Sequence, residues 1–237
     1  MIGVIGGNGV AATNKLCQII EEEITKGGAF RDAHHPEMII WQATQVPSRS
    51  MYLEGRGESF IPGYVEIGRK LKECGCTELC MCCNTAHYFI DELSEKIGLS
   101  FINLIEEVAL AAKVQNVKRI GLMCSDGLAK VKFYDDVFKK VYPDAEIVYP
   151  DEEHQRLVTK GICNSKNTHR YTEDDNIENP KYNFSKVIGH LREKNVDCIV
   201  AGCTDIRNVF YPDTSSDYAY IDSLEVLAKA ILRTCKQ

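Results

Sequence analysis

Two cysteines stand at the ends of apolar runs. Cys83 closes Leu79-Cys80-Met81-Cys82 and opens Cys83-Asn84-Thr85, and Cys203 closes Cys198-Ile199-Val200-Ala201-Gly202 and opens Cys203-Thr204-Asp205. A thiol with an ordinary pKa of about 8.5 is only a few per cent thiolate at neutral pH. At the carboxyl end of a strand it lies near the unpaired backbone N–H groups of the next segment, which stabilise negative charge. Both cysteines are therefore candidates for acid and base work. His87 follows Cys83 by four residues, one turn away if the segment is helical, and both a functional and a capping or packing role are open to it.

The surroundings of these cysteines repeat along the chain. Ile2-Gly3-Val4-Ile5 reads against Ile120-Gly121-Leu122-Met123, 118 residues later; Leu71-Lys72-Glu73 leading to Cys83 reads against Leu191-Arg192-Glu193 leading to Cys203, 120 later; Phe101-Ile102-Asn103 reads against Tyr220-Ile221-Asp222, 119 later. Near-constant offsets of this kind mark a duplicated half. A duplicated half supplies two equivalent thiols.

The elements that position them alternate between short apolar runs and longer amphipathic stretches, the pattern of a mainly parallel α/β sheet. Strands are expected over 2–5, 37–43, 79–83, 101–103, 120–124, 146–149 and 198–201, and helices over 11–25, 63–72, 86–96, 106–114, 129–140 and 184–193. The polar segment 164–182 lacks an apolar period and reads as an exposed loop with at most one irregular helical turn. Asn8, between glycines, suits a left-handed turn.

The chain has 237 residues and a net charge of -6, with Lys and Arg scattered. Nucleic acid is not an expected partner. A basic leader followed by a cleavable apolar stretch is not evident, nor is an apolar run of membrane-spanning length, so a cytoplasmic protein without a membrane partner is expected. Eleven cysteines in that compartment read as free thiols. Cys17, Cys124 and Cys198 occupy positions where a small buried apolar residue serves. The cluster Cys74, Cys76, Cys80, Cys82 and Cys83 contains a Cys-x-x-Cys pair, which offers a metal or redox alternative. No second pair completes a tetrahedral site, and Cys80 and Cys82 share a strand face as small apolar residues.

Taken in order, Gly6-Gly7-Asn8-Gly9, Val46-Pro47-Ser48-Arg49, Cys82-Cys83-Asn84-Thr85-Ala86-His87 and Ala201-Gly202-Cys203-Thr204-Asp205 resemble the aspartate/glutamate racemase family, and within it the aspartate racemase branch. The resemblance covers nearly the whole chain. It implies two similar α/β domains with mainly parallel sheets related by pseudo-two-fold symmetry, with the active site in the interdomain cleft. Domain boundaries of 1–100 plus 211–237, and 101–210, are expected, with the C-terminal helix returning to the first domain.

The same resemblance implies amino-acid racemisation without pyridoxal phosphate or any other cofactor or metal, in a homodimer acting on aspartate or glutamate. Cys83 and Cys203 would be the acid/base pair. Asn8 with Gly9, Asn84 with Thr85, Ser125 and Thr204 would bind the substrate as donors, Arg49 would grip a carboxylate, and Lys166 would reach it from the second-domain loop, with Asn167 and Lys160 as alternatives for that lysine. The chain departs from the pattern at Cys82, at Asp205 and at Ser125-Asp126-Gly127-Leu128; an acidic Asp126 facing an acidic substrate is unfavourable unless it turns away. A family isomerase or decarboxylase acting on another small carboxylic acid is the alternative within the fold.

Overall fold

The computed structural model describes residues 1–213 and 218–235. The chain divides into two compact units, Met1–Leu104 with Leu224–Gln237, and Ile105–Ser223. In the first unit the order is β1 (Ile2–Gly6), α1 (Val10–Lys26), β2 (Met38–Gln42), α2 (Arg49–Leu53), α3 (Ile61–Glu73), β3 (Glu78–Met81) and α4 (Ile90–Ile97). The chain continues through α5 (Leu104–Val114), β4 (Arg119–Cys124), α6 (Asp126–Val131), α7 (Phe133–Val141), β5 (Glu146–Val148), α8 (Glu152–Asn164), α9 (Pro180–Glu193), β6 (Cys198–Gly202) and β7 (Ala219–Asp222), and ends in α10 (Ser223–Thr234). The two sheets are parallel, in the orders β2-β1-β3 and β5-β4-β6-β7.

The repeat seen in the sequence is a repeat of strand register. Gly3 pairs with Leu79 and Gly121 with Ile199, while Leu79 bridges Phe101 as Ile199 pairs with Tyr220. Each residue of the first set maps onto the second at the offsets of 118 to 120. The repeated glycine has a packing cause. A Cβ on Gly3 would lie 2.6 Å from Leu79 Cδ2, and one on Gly121 would lie 3.0 Å from Ile199 Cδ1, so the central strand must stay bare for its neighbour's side chain to cross it.

Each unit has its own core. In the first, Ile5, Phe60, Tyr64, Leu71, Leu79 and Met81 are buried together. In the second, Met123, Val158, Phe184, Leu191, Ile199 and Ile206 are. Full burial of such side chains, worth about 1.5–3 kcal/mol each, fixes the strands whose ends carry the cysteines.

Several sequence expectations are corrected. The expected strand at 101–103 contracts to the single Leu79–Phe101 bridge. The units divide after Leu104 and after Ser223, and β7 pairs with β6 within the second. The helix expected over 129–140 is two helices broken at Lys132, whose φ of 54° lies in the left-handed region. The left-handed residue of the Gly-Gly-Asn-Gly turn is Gly7, with φ of 78°, and not Asn8. Cys83 lies past the end of β3, and the segment after it starts as a 3-10 turn over Thr85–Phe89 before α4 begins.

Helix α8 has no strong apolar period, only Leu157, Val158 and Ile162 behind a charged first turn. Its start was legible in Asp151, which caps it by accepting from the His154 N–H at 2.9 Å, ahead of Glu152 and Glu153. Likewise Asn179 and Pro180 open α9 inside the stretch expected to be a loop.

Candidate functional site

In the first unit β1 ends in the turn Gly7-Asn8-Gly9. Thr13 on α1 braces this turn: its Oγ1 accepts from the Gly7 N–H at 2.9 Å and donates to the Gly9 carbonyl at 2.9 Å. Asn8 is buried, and its Nδ2 donates to the hydroxyl of Tyr64 on α3. That leaves Asn8 Oδ1 buried with no hydrogen-bond partner in the protein. Asn8, expected as a donor, thus presents an acceptor.

Arg49, the first residue of α2, is tied to backbone carbonyls. Its Nη1 donates to Pro47 at 3.0 Å and Val46 at 3.4 Å, and its Nη2 donates to the Asn8 carbonyl at 3.3 Å. The guanidinium fork therefore joins the 46–48 loop to the Asn8 turn. Tyr64 lies within electrostatic reach of both groups. Burial pushes its phenol up, the Arg49 charge opposes that, and Cys83 adds to it.

Cys83 is half-buried between β3 and the 3-10 turn, with Asn84 and Thr85 buried beside it. His87 is fully buried, and its Nδ1 lies 2.8 Å from the Cys83 carbonyl. A carbonyl only accepts, so the neutral ring carries its proton on Nδ1 and donates. Burial pulls the His87 pKa down to about 4, against the pull of the Cys83 and Ile102 backbone groups. His87 fixes the loop backbone of Cys83.

The second unit repeats the arrangement with different side chains. Ser125 stands at the N-cap position of α6, Cys203 follows β6 directly, and a 3-10 turn over Ile206–Asn208 comes next. Counted along the register, Ser125 and Cys203 are each one residue past the pair Cys124–Gly202, and Gly7 and Cys83 are each two residues past the pair Ile5–Met81. Thr204 and Asp205 are buried. Asp205 Oδ2 accepts from Lys166 Nζ at 2.9 Å, and Cys203 Sγ lies 4.0 Å from the same oxygen. Burial pushes the phenol of Tyr134 up, and the neighbouring Cys124 and Cys203 reinforce that shift.

Asp126 turns toward α8. Its Oδ1 accepts from Thr159 Oγ1 at 2.6 Å and from Gln155 Nε2 at 2.9 Å, which occupies the carboxylate that sequence alone set against an acidic substrate. Of the three candidates for the lysine's place, Lys166 is the one bonded to Asp205, the carboxylate nearest Cys203. Lys160 pairs with Glu178 at 2.6 Å, and Asn167 caps the 3-10 turn Thr168–Tyr171.

The structure thus gathers Asn8, Gly9, Arg49, Cys83, Asn84 and Thr85 at the strand ends of one unit, and Ser125, Thr204 and Cys203 at those of the other, with Lys166 reaching the latter through Asp205. Sequence reasoning missed Tyr64, Gln155 and Thr159. Tyr64 lies 56 residues from Asn8 and reads only as one apolar position of α3, so no local signal marked it.

Of the remaining cysteines, the buried ones are packing residues. Cys80, Cys124 and Cys198 are buried; burial pushes all three thiols up, Cys198 to about 12. Cys74 is exposed while Cys76, Cys80 and Cys82 are buried, and among the described residues no convergent group of three His, Cys, Asp or Glu ligand atoms forms around them. Among the described residues no helix is long and apolar enough to cross a membrane.

Residues 2–231 match the family described as Asp/Glu/Hydantoin racemase. The broad specificity amino-acid racemase RacX of Bacillus subtilis (strain 168) is 23% identical over 237 residues, 99% of this chain and 97% of that protein. The Picrophilus torridus aspartate racemase structure superposes with a TM-score of 0.83 at 23% identity, over 99% of this chain and 94% of its own. A putative Asp/Glu racemase from Yersinia pestis gives 0.76 at 19% identity, over 100% and 99%.

Proposed function

The chain belongs to the Asp/Glu/Hydantoin racemase family, and from that premise we propose that it is a cofactor-independent amino-acid racemase using Cys83 and Cys203 as a two-base pair, with aspartate as the principal substrate and glutamate as the other candidate. The observation that carries this reading is the repeated register: each unit presents one cysteine just past a parallel strand, level with the end of its central strand. Interconverting mirror images needs an acid and a base whose roles exchange with direction, and two quasi-equivalent thiols fill those roles. In one direction the Cys83 thiolate takes the α-proton and the Cys203 thiol delivers a proton to the opposite face. In the other direction the roles reverse, so no net proton is gained or lost.

The α-proton of an amino acid is weakly acidic, so the carbanion-like state requires aimed polar groups. Asn84, Thr85, Ser125 and Thr204, with the backbone of the Gly9 turn, are assigned to the substrate carboxylates. Asn8 Oδ1 is assigned to the α-ammonium, because an unpaired buried acceptor suits an N–H donor. Arg49 supplies cationic charge for a carboxylate while holding the Asn8 turn. Lys166 exchanges its Asp205 partner for the substrate's side-chain carboxylate. A homodimer is the assembly assigned to it.

The test is incubation in deuterated water with each enantiomer of aspartate and of glutamate, following α-deuterium by mass spectrometry. Incorporation with formation of the opposite enantiomer is expected. Absence of exchange with every amino acid tried defeats the racemase reading, and exchange limited to other amino acids defeats the substrate assignment alone.

A further inference from the structure

Asp151 caps α8, His154 is the third residue of that helix, and His190 lies in the last turn of α9. The three side chains converge, with one ligand atom from each lying within 4.8 Å of the others. Asp151 uses both oxygens. Its Oδ1 is 2.7 Å from His154 Nδ1, and its Oδ2 is 3.4 Å from His190 Nε2. The imidazole rings stack at 3.7 Å between centroids and 10° between planes. His190 Nε2 also accepts from the Asp151 backbone N–H at 3.3 Å, so that nitrogen is unprotonated, and binding an ion requires its one lone pair to turn from this N–H to the metal. None of the three belongs to the cysteine sites.

We propose that Asp151, His154 and His190 form a binding site for a divalent transition-metal ion of the zinc class that bridges the start of α8 to the end of α9. Two imidazoles and one carboxylate favour zinc, cobalt, nickel or copper over magnesium and calcium, which prefer all-oxygen shells. Three protein ligands leave at least one coordination position for water. Of the three, Asp151 alone lines a neighbouring cavity of about 360 Å³. Metal–nitrogen and metal–oxygen bonds of about 2.0–2.2 Å require the ligand atoms to close in from their present spacing. The rings must also tilt out of parallel, because a bound ion lies in the plane of each imidazole. Both movements are side-chain rotations of partly exposed residues, with 25% of the His154 side chain and 13% of the His190 side chain accessible. The Asp151 oxygen that caps α8 can keep that bond while the other turns to the ion.

The test is titration of the reduced protein with Co²⁺, read by absorption and equilibrium dialysis, because the exposed thiols of Cys74, Cys163 and Cys235 also bind soft metals and their charge-transfer bands identify them. A site without thiolate bands is expected, with its affinity at least tenfold weaker in His154→Ala and in His190→Ala, unchanged in Cys163→Ser, and insensitive to excess Mg²⁺. If a histidine variant loses its folded circular dichroism signal, Asp151→Asn decides, since an asparagine still caps the helix but gives up the anionic ligand. Absence of binding, binding by thiolates alone, or an affinity unaltered in the folded variants overturns the proposal.

Discussion

Lys166 Nζ sits 2.9 Å from Asp205 Oδ2, and the Cys203 sulfur lies 4.0 Å from that same oxygen. The carboxylate is buried and the lysine is half-exposed, so the ion pair reaches from solvent to the thiol. Among the described residues no hydrogen bond joins Cys83 to a carboxylate; its chain neighbours are Asn84 and Thr85, and His87 is bonded to its backbone. The two thiols of the repeat are electrostatically unequal.

Asp205→Asn removes a negative charge beside Cys203 and leaves Lys166 without its anion, and both changes make the thiolate easier to form. Alkylation of Cys203 by iodoacetamide at neutral pH is expected to be several-fold faster in the variant, measured by mass spectrometry of the Cys203 peptide. A slower reaction assigns Asp205 to accepting the thiol proton instead.

Cys83→Ser and Cys203→Ser are each expected to lower racemisation by a factor of about 100 or more, the usual scale of a lost general acid or base. Chiral chromatography of the products is the measurement. Near-full activity in either variant sinks the two-base mechanism.

His87 gives the fold a pH dependence of definite sign. Its pKa is about 4 when buried against about 6.5 in the unfolded chain, so between those values the unfolded state binds more protons and stability falls as pH is lowered. The loss saturates at about 3 kcal/mol once both states are protonated. Urea unfolding at pH 7.5 and pH 5 captures about 2 kcal/mol of it, and a His87→Asn variant should lose that part of the difference.

Gly7→Ala should destabilise the first unit by more than about 1 kcal/mol, the cost of a left-handed backbone for a residue with a side chain. Gly7 has φ of 78°, and a Cβ there would lie 2.5 Å from the Ala43 nitrogen. Thermal melting read by circular dichroism checks this, and an unchanged midpoint contradicts the turn geometry.

The sequence by itself determined the two-unit α/β plan and where the cysteines fall in it, because apolar periodicity and the repetition of a motif are read along the chain without knowledge of what pairs with what. Ile-Gly twice and an aromatic-Ile pair twice, each about 119 residues apart, recur where the sheets pair, and each cysteine falls just past the strand between them. It did not determine which neighbours each cysteine meets. Tyr64 reaches Asn8 from 56 residues away, Asp126 is claimed by Gln155 and Thr159 of a helix with weak periodicity, and Asp205 is claimed by Lys166 from 39 positions earlier. Hydrogen bonds and ion pairs between distant segments carry no periodic signature. Only the packing of α3 on its sheet and of α8 beside β4 decided them, and those contacts make the two repeated thiols chemically different.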